Sequence, residues 1–268
     1  MNTDTIHRFA ARHALDSLSD ATIRRLYEGQ YSIDKAHRFI DFLDRLENGL
    51  LNHPVITTNS YTNWFSATKL NDTAIRHFIV QFSVVCNQYL VAQILKMNNA
   101  STLREMRRSK EMLVNDLGVS DSAPFELLLQ MATPLGLGFE QLGRRIHGTP
   151  CTLFFCDELI RLFSSNDYAV SQAAFHAFIT WAASGFWNQL EQGLAKYKAR
   201  KLIAIPLTFF RHQAAQAQTY HCEGKKALET YYFTDNIDET LFIEKGSEML
   251  EGIHTFWKCL DNDRKRNH

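Results

Sequence analysis

The sequence contains two carboxylate and imidazole pairs at the i, i+3 spacing of metal-binding helices, Glu251 with His254 and Asp34 with His37. Side chains three residues apart lie on one face of a helix, so both can bind the same ion. Carboxylate-bridged dimetal centres in helical bundles combine such pairs with further glutamates. Neither pair falls in the most apolar segments of the chain. We therefore interpret Glu251 and His254 as surface and boundary residues of an amphipathic terminal helix.

A second group of polar residues lies within the apolar segments themselves. Gln81 and Gln88, for example, are two helical turns apart in an otherwise apolar run. Buried amides and imidazoles need hydrogen-bond partners. They either bond one another or trapped water, or line a cavity where a small molecule meets a few polar groups on an apolar wall. The residues that would line such a cavity are Gln81, Val84, Gln88, His176, Thr180, Trp181, Gln213, Gln216 and Tyr220.

Several common motifs are absent from the sequence. It has no GxGxxG, GxxxxGK[ST] or GxSxG pattern, which argues against classical nucleotide binding and α/β-hydrolase chemistry. The cysteines, Cys86, Cys151, Cys156, Cys222 and Cys259, form no CxxC pair and have no zinc-ligand spacing. We expect them to be reduced and mostly buried, as small apolar side chains.

The composition is typical of a folded, water-soluble protein, since 45% of the 268 residues are hydrophobic and 22% are charged. Lys and Arg together number 29, as do Asp and Glu, so no net charge favours nucleic acid or an anionic membrane. The N-terminal residues lack a secretory leader pattern, and no run approaches the roughly 18 apolar residues of a membrane span. These features predict a cytoplasmic protein that binds neither nucleic acid nor membrane.

Helical spacing dominates the chain. Only 12 Gly and 5 Pro interrupt it, and alternating β-branched runs are absent, which predicts an all-α protein. Capping residues and prolines set the helix boundaries. The predicted helices are 20–28, 33–50, 73–97, 101–118, 124–135, 150–163, 168–198, 206–233 and 238–260. Because no linker or repeat divides them, we predict an N-terminal segment 1–19, a single helical domain 20–260 and a charged tail 261–268.

Five runs in this order resemble the heme-oxygenase-like diiron oxidases and oxygenases, which include iron-containing redox enzymes. They are FIVQFSVVCNQYLVAQILKM, MRRSKEMLVNDLGV, WAASGFWNQLEQGL, PLTFFRH and EMLEGIHTFWKCL. The resemblance covers about Trp64 to Leu260. It implies a cytoplasmic, often dimeric bundle of about seven core helices around a central cavity. Many members of the family activate dioxygen at two irons and oxidise small metabolites or natural-product precursors.

The metal ligands that the resemblance implies are missing from this chain. The early-helix ligand pair falls on Gln81 and Gln88, which are poor iron ligands. The middle-helix carboxylate falls near residues 179–181, where there is no acid. The late-helix triad falls either on Gln213, Ala217 and Tyr220 or, one residue earlier, on His212, Gln216 and Thr219. Because two irons in an apolar interior need carboxylates, we predict that the dimetal site is lost and that no cofactor is bound.

Three hypotheses follow from these observations. The first is a noncatalytic, degenerate relative of the diiron oxidases that binds a small molecule or a protein partner, such as an active homologue, as a homo- or heterodimer. The second is a metal-independent oxidative enzyme on the same scaffold, with His176, His212, Tyr220 and His221 as candidate acids or bases. The third is a structural partner whose 19 Phe and 4 Trp side chains fill the cavity.

Overall fold

A computed structural model of the chain describes residues 3–118, 123–235 and 237–266, and these residues are almost entirely helical, with no strand among them. The all-α prediction is confirmed. The helices are α1 (Thr3–Arg12), α2 (Asp20–Tyr27), α3 (Ile33–Leu46), α4 (Pro54–Thr57), α5 (Ser60–Ala67), α6 (Asp72–Asn98), α7 (Leu103–Leu117), α8 (Pro124–Ala132), α9 (Pro150–Phe163), α10 (Tyr168–Phe175), α11 (Ala183–Lys201), α12 (Thr208–Thr234) and α13 (Glu239–Arg266).

Local capping explains where the long helices begin and end. The Asn71 side chain accepts a hydrogen bond from Ala74 N at 2.7 Å and caps α6. Gly118 ends α7 with a φ of +74°, a conformation that suits glycine. The cap of α7 is Thr102, one residue later than Ser101, the cap that the sequence suggests, and the helix begins at Leu103. Thr102 and Glu105 form a reciprocal capping box.

Two π-helical turns interrupt helices that the sequence analysis predicts as continuous. One, Glu47–Leu51, follows α3, and the other, His176–Ala182, joins α10 to α11. A π turn holds an extra residue, so the side chains that follow it are rotated around the helix axis. The periodicity of apolar residues across 168–198 alone does not reveal such an insertion.

The core of the bundle is an aromatic cluster centred on Trp257 of α13, which is 3% exposed. Its ring lies 5.2 Å from Phe186 of α11, 5.6 Å from Tyr61 of α5, and 6.3 and 6.4 Å from Phe82 and Phe78 of α6, between ring centroids. Each such pair contributes roughly 0.5–1.5 kcal/mol beyond the burial of its apolar area. The cluster therefore fixes α5, α6, α11 and α13 against one another.

Helix α6 is the one helix of the described residues that is long and apolar enough to cross a membrane, judged by length and composition. Of its most apolar window, 56% is buried inside the bundle, between α7 and α9. Such burial is typical of the core helix of a water-soluble protein.

The residues predicted as a solvated charged tail, 261–268, are mostly part of α13. Asp261 is only 5% exposed and forms ion pairs with Arg264 at 2.6 Å and Lys265 at 2.5 Å. These ion pairs, three and four residues apart, stabilise the helical conformation of the segment. Residues 267 and 268 lie outside the described residues.

The predicted N-terminal segment 1–19 also packs against the bundle as far as it is described, with residues 1 and 2 outside the described part. Its helix α1 buries Ile6, which is 3% exposed, and the turn after it buries Leu15 completely. Apolar side chains this well covered stabilise the fold by about 1.5–3 kcal/mol each.

The prediction that all the cysteines are reduced is wrong for one pair. Cys151 of α9 and Cys259 of α13 form a disulfide, with their Cα atoms 6.4 Å apart. The two residues are separated by 108 positions in sequence, so no local spacing indicates the pair. They meet because α9 and α13 pack side by side. Cys86, Cys156 and Cys222 are free, and of these Cys156 is buried and Cys222 is exposed.

We predict that the double variant Cys151→Ser/Cys259→Ser loses about 2–4 kcal/mol of unfolding free energy, because the cross-link restricts the unfolded chain. Urea denaturation of the oxidised protein and the variant measures the difference. Reduced wild type should match the variant, and Cys222→Ser, at an exposed position, should stay within about 0.5 kcal/mol of wild type. Equal stabilities of oxidised and reduced wild type would contradict the prediction.

Candidate functional site

A cavity of about 90 Å³ lies between α6, the end of α7, the start of α8, α11 with its preceding π turn, and α12. This space holds several water molecules or part of a small organic molecule. Most of its wall is aromatic or aliphatic. The lining residues are Phe82, Val85, Cys86, Tyr89, Leu90, Asp116, Pro124, Phe125, Leu128, Phe178, Ile179, Ala183, Phe186, Trp187, Phe209, Gln213, Gln216, Ala217 and Tyr220.

One face of α6 forms a wall of the cavity. Phe82, Val85, Cys86, Tyr89 and Leu90 share one helical face, because residues three and four positions apart, such as Phe82 with Val85 and Cys86, lie on the same side of a helix. Burial raises the pKa of the Cys86 thiol to about 12, so this sulfur is a neutral, apolar part of the wall at physiological pH.

Asp116, on the last turn of α7, is the one carboxylate among the described residues that line the cavity. Its Oδ2 accepts hydrogen bonds from the Tyr89 hydroxyl at 2.9 Å and from Gln93 Nε2 at 3.2 Å. Gln93 Nε2 also lies 2.7 Å from the Tyr89 oxygen and donates to it. Desolvation raises the pKa of Asp116 to about 6, although both hydrogen bonds act in the opposite direction. This carboxyl therefore changes charge close to neutral pH.

Helix α12 supplies the other polar groups of the cavity. Gln213, Gln216 and Tyr220, three of the residues predicted from the sequence, all lie in its wall. Burial, followed by the nearby charge of Asp116, raises the pKa of Tyr220, so its hydroxyl stays protonated. The cavity thus contains one acid, two phenols and two amides within an aromatic enclosure.

The other predicted residues on α6 lie outside this cavity. Gln81 donates from Nε2 to His147 O and accepts from Thr149 N at Oε1, both at 2.8 Å. Gln88 Oε1 accepts a hydrogen bond from Arg145 at 3.2 Å. These amides fasten the irregular segment between α8 and α9 to α6. Val84, which is fully buried, is likewise outside the lining residues.

The predicted residues of the π turn also lie outside the lining residues. His176 is 3% exposed and packs against the rings of Trp181 and Phe242 at 5.9 and 6.1 Å. Burial, followed by the nearby cation of Lys96, lowers the pKa of His176 to about 3, so the imidazole is neutral at physiological pH. The Thr180 carbonyl accepts a hydrogen bond from the ring of His221 at 3.3 Å.

His212 and His221 are on α12 but are not among the lining residues. His212 is half-buried and His221 is exposed. Of the four residues named as candidate acids or bases, Tyr220 is thus the one in the wall of the cavity.

The donors present do not fit a dimetal centre. The described residues contain no group of three or more His, Cys, Asp or Glu side chains placed to hold a metal ion. Glu251 lies 3.2 Å from His53, whose ring centroid is 5.7 Å from that of His254, at the surface of the bundle. His37 bonds a backbone carbonyl instead of a carboxylate. A single acid in the cavity is too little negative charge for two irons.

Lys96 is a second ionisable group that the sequence analysis does not single out. Its side chain is 3% exposed, and its Nζ has no hydrogen-bond partner among the described residues. The ammonium lies 4.6 Å from the ring centroid of Phe175 and 5.7 Å from that of Phe163. Burial, followed by the like charge of Arg108, lowers the pKa of Lys96 to about 7. The sequence hides this feature because lysine is common near helix C-termini.

Asp116, in contrast, carries a signal that can be recognised in the sequence. It lies two residues before Gly118, at the C-terminal end of a predicted helix. The partial negative charge at a helix C-terminus disfavours an acid there. An acid in such a position is a reason to look for a local function.

Comparison with known proteins identifies the fold. No protein-family model and no curated protein matches the chain by sequence. A domain of unknown function with a heme oxygenase-like fold from Shewanella denitrificans superimposes with a TM-score of 0.61 at 10% identity, covering 85% of this chain and 93% of that one. A TenA homologue from Pseudomonas syringae gives 0.57 at 12%, covering 85% and 93%. A CADD-like protein of unknown function from Nostoc punctiforme gives 0.56 at 15%, covering 87% and 96%.

The chain therefore has the heme-oxygenase-like fold. The predicted architecture is confirmed, whereas identities this low carry no information about activity. The comparisons leave the function to be argued from the cavity itself.

We predict that Lys96→Met removes a pH dependence of stability. Since the pKa of Lys96 is lower in the folded protein than its ordinary value of 10.5, the unfolded chain binds an extra proton between about pH 7 and 10.5. Wild-type stability from this group therefore rises with pH across that window and is lost on acidification. Methionine should raise the unfolding free energy at pH 7 by roughly 3–5 kcal/mol and flatten the slope.

Urea denaturation at intervals from pH 7 to 9.5 measures this effect. Lys110→Met, at an exposed position on the neighbouring helix α7, is the matched control and should keep the wild-type pH profile. Parallel profiles for Lys96→Met and wild type would show that the ammonium is not buried as described.

Proposed function

We propose that this chain is a heme-oxygenase-like bundle that lacks the dimetal centre and binds a small molecule in the cavity between α6 and α12. The observation that carries the proposal is the cavity wall, in which Asp116, Tyr89 and Tyr220 converge within a largely aromatic enclosure. Binding sites of small molecules typically combine an apolar wall with a few such polar groups. A noncatalytic role as a binding protein follows from this chemistry together with the missing metal ligands.

The void itself argues against the purely structural hypothesis. Large side chains such as Trp187 and Phe186 form part of the wall, but they leave a cavity of about 90 Å³ beside Gln213. Protein interiors normally contain few voids larger than a water molecule. A largely apolar space of this size that also contains a few polar groups is better explained by an occupant than by inefficient packing.

We predict that filling the cavity abolishes binding without unfolding the protein. Ala217 lines the cavity and is 4% exposed, so Ala217→Leu places three further carbons in the void. With fluorobenzene as the probe, fluorine NMR should show binding to wild type and at least tenfold weaker binding to the variant. Ala215→Leu, on the exposed side of the same helix, is the matched control and should bind like wild type. Equal binding by both variants would contradict a site in this cavity.

Metal analysis of the same purified protein tests the other half of the proposal. We expect far less than one equivalent of iron or manganese per chain, because one carboxylate cannot neutralise two such ions. Two equivalents would refute the loss of the centre.

One observation favours a metal-independent enzyme as a second candidate. Asp116 titrates close to neutral pH and shares a hydrogen bond with Tyr89, so it could serve as an acid or base toward a molecule in the cavity. In that case Asp116→Asn should lower kcat for oxygen uptake with a small oxidisable aromatic substrate by at least 100-fold. Glu111→Gln, an exposed change on the same helix, serves as the control. Undiminished turnover in Asp116→Asn would exclude this role.

The dimeric state, the active homologue as partner and the cytoplasmic location stay predictions. The exposed apolar side chains Leu103, Met106, Val114 and Leu117 of α7 are compatible with a protein partner. The Cys151–Cys259 disulfide argues against the predicted cytoplasmic location, because such bonds are uncommon where the cell keeps thiols reduced.

A further inference from the structure

Asp116 has hydrogen bonds but no counter-ion. Its two partners, Tyr89 and Gln93, are neutral donors, and both bind the same oxygen, Oδ2. In the part of the chain that the structure describes, no Lys, Arg or His forms an ion pair with this carboxylate. Its place at the C-terminus of α7 adds a further unfavourable partial charge. A charge in such surroundings is costly unless something else neutralises it.

The other groups that face Asp116 cannot supply positive charge. Tyr89 and Cys86 on α6 and Tyr220 on α12 have raised pKa values and are neutral at physiological pH. Glu223, one turn beyond Tyr220, adds negative charge. The residues that α8, α11 and the π turn contribute to the lining are apolar, so among the described lining residues the only charge is the negative one of Asp116.

The rings of the cavity favour a cation as well. Phe82 of α6, Phe178 of the π turn and Trp187 of α11 lie in the same wall as Asp116. The face of an aromatic ring carries negative charge and attracts cations, most strongly where the cation is desolvated. An ammonium group in the cavity would therefore interact favourably with both the carboxylate and the rings.

We propose that the occupant of this cavity is a small protonated amine, whose ammonium group pairs with Asp116 and whose apolar part lies among the aromatic rings. This assignment rests on the proposed small-molecule-binding function and specifies its ligand class. An anionic ligand would meet an unopposed carboxylate. An uncharged ligand would leave that carboxylate without a counter-ion.

A series of three probes of similar shape tests the assignment. Benzylamine is cationic, benzyl alcohol is a neutral hydrogen-bond donor, and toluene has no polar group. Binding is followed by the fluorescence of the tryptophans, of which Trp187 lines the cavity.

We expect benzylamine to bind wild type at least tenfold more tightly than benzyl alcohol does. In Asp116→Asn the amine should lose at least tenfold in affinity while toluene binding changes less than twofold. Glu111→Gln, on the exposed side of α7, should bind all three like wild type.

A pH series on wild type gives a second measurement that does not depend on the variant. Because the pKa of Asp116 is about 6, its carboxylate is protonated on acidification, so benzylamine affinity should fall severalfold from pH 7.5 to pH 5. Toluene affinity should stay level over the same range.

The outcomes separate the two proposals. The amine assignment is wrong if benzylamine binds no more tightly than benzyl alcohol and toluene do. It is also wrong if the affinity for benzylamine neither changes with pH nor falls in Asp116→Asn. In both cases the binding function stands. If none of the three probes binds, both proposals are overturned.

Discussion

The interior of this bundle contains two opposite charges that do not pair with each other. Lys96 on α6 is enclosed by the rings of Phe163 and Phe175, and Asp116 on α7 is held by Tyr89 and Gln93. A charge removed from water normally requires a counter-ion, and the buried Lys96 and the half-buried Asp116 are left with aromatic or amide neighbours. Both groups consequently titrate near neutral pH, although one is a base and the other an acid. The chain tolerates this arrangement because the surrounding aromatic core supplies a large, compensating burial of apolar area.

Two faces of α6 make different contacts: one binds the segment between α8 and α9, and the other lines the cavity beside Asp116. The amides of Gln81 and Gln88 satisfy backbone and guanidinium groups of the segment that joins α8 to α9. A different face of α6, which includes Phe82, Val85 and Tyr89, lines the void, and α11 and α12 supply other parts of its wall. Polar residues on an apolar helix therefore have different roles. The amides of Gln81 and Gln88 bond the neighbouring segment and fix the fold, whereas the hydroxyl of Tyr89 and the carboxyl of Asp116 lie in the wall of the cavity.

The sequence predicts most of this architecture because capping residues, prolines and apolar periodicity are local features. Asn71, Thr149 and Gly118 mark true helix ends, and the family resemblance supplies the arrangement of helices. The candidate site is less predictable, since it depends on which face of each helix meets which neighbour. Gln213, Gln216 and Tyr220 lie in the cavity, but the amides of α6 are rotated away from it. Asp116 comes from α7, and although an acid at a helix C-terminus is unusual, the amphipathic pattern of this helix does not show that its last turn reaches the cavity.

The disulfide between α9 and α13 gives the molecule a covalent ring. The ring includes α10, α11 and α12, and therefore two walls of the cavity, within its span of 108 residues. A single backbone cut inside such a ring does not divide the chain into separate fragments. While the bond is intact, a nicked molecule migrates as one species under denaturing conditions, and only a reductant releases its pieces. The walls of the cavity thus remain tethered to each other even when the polypeptide between them is broken.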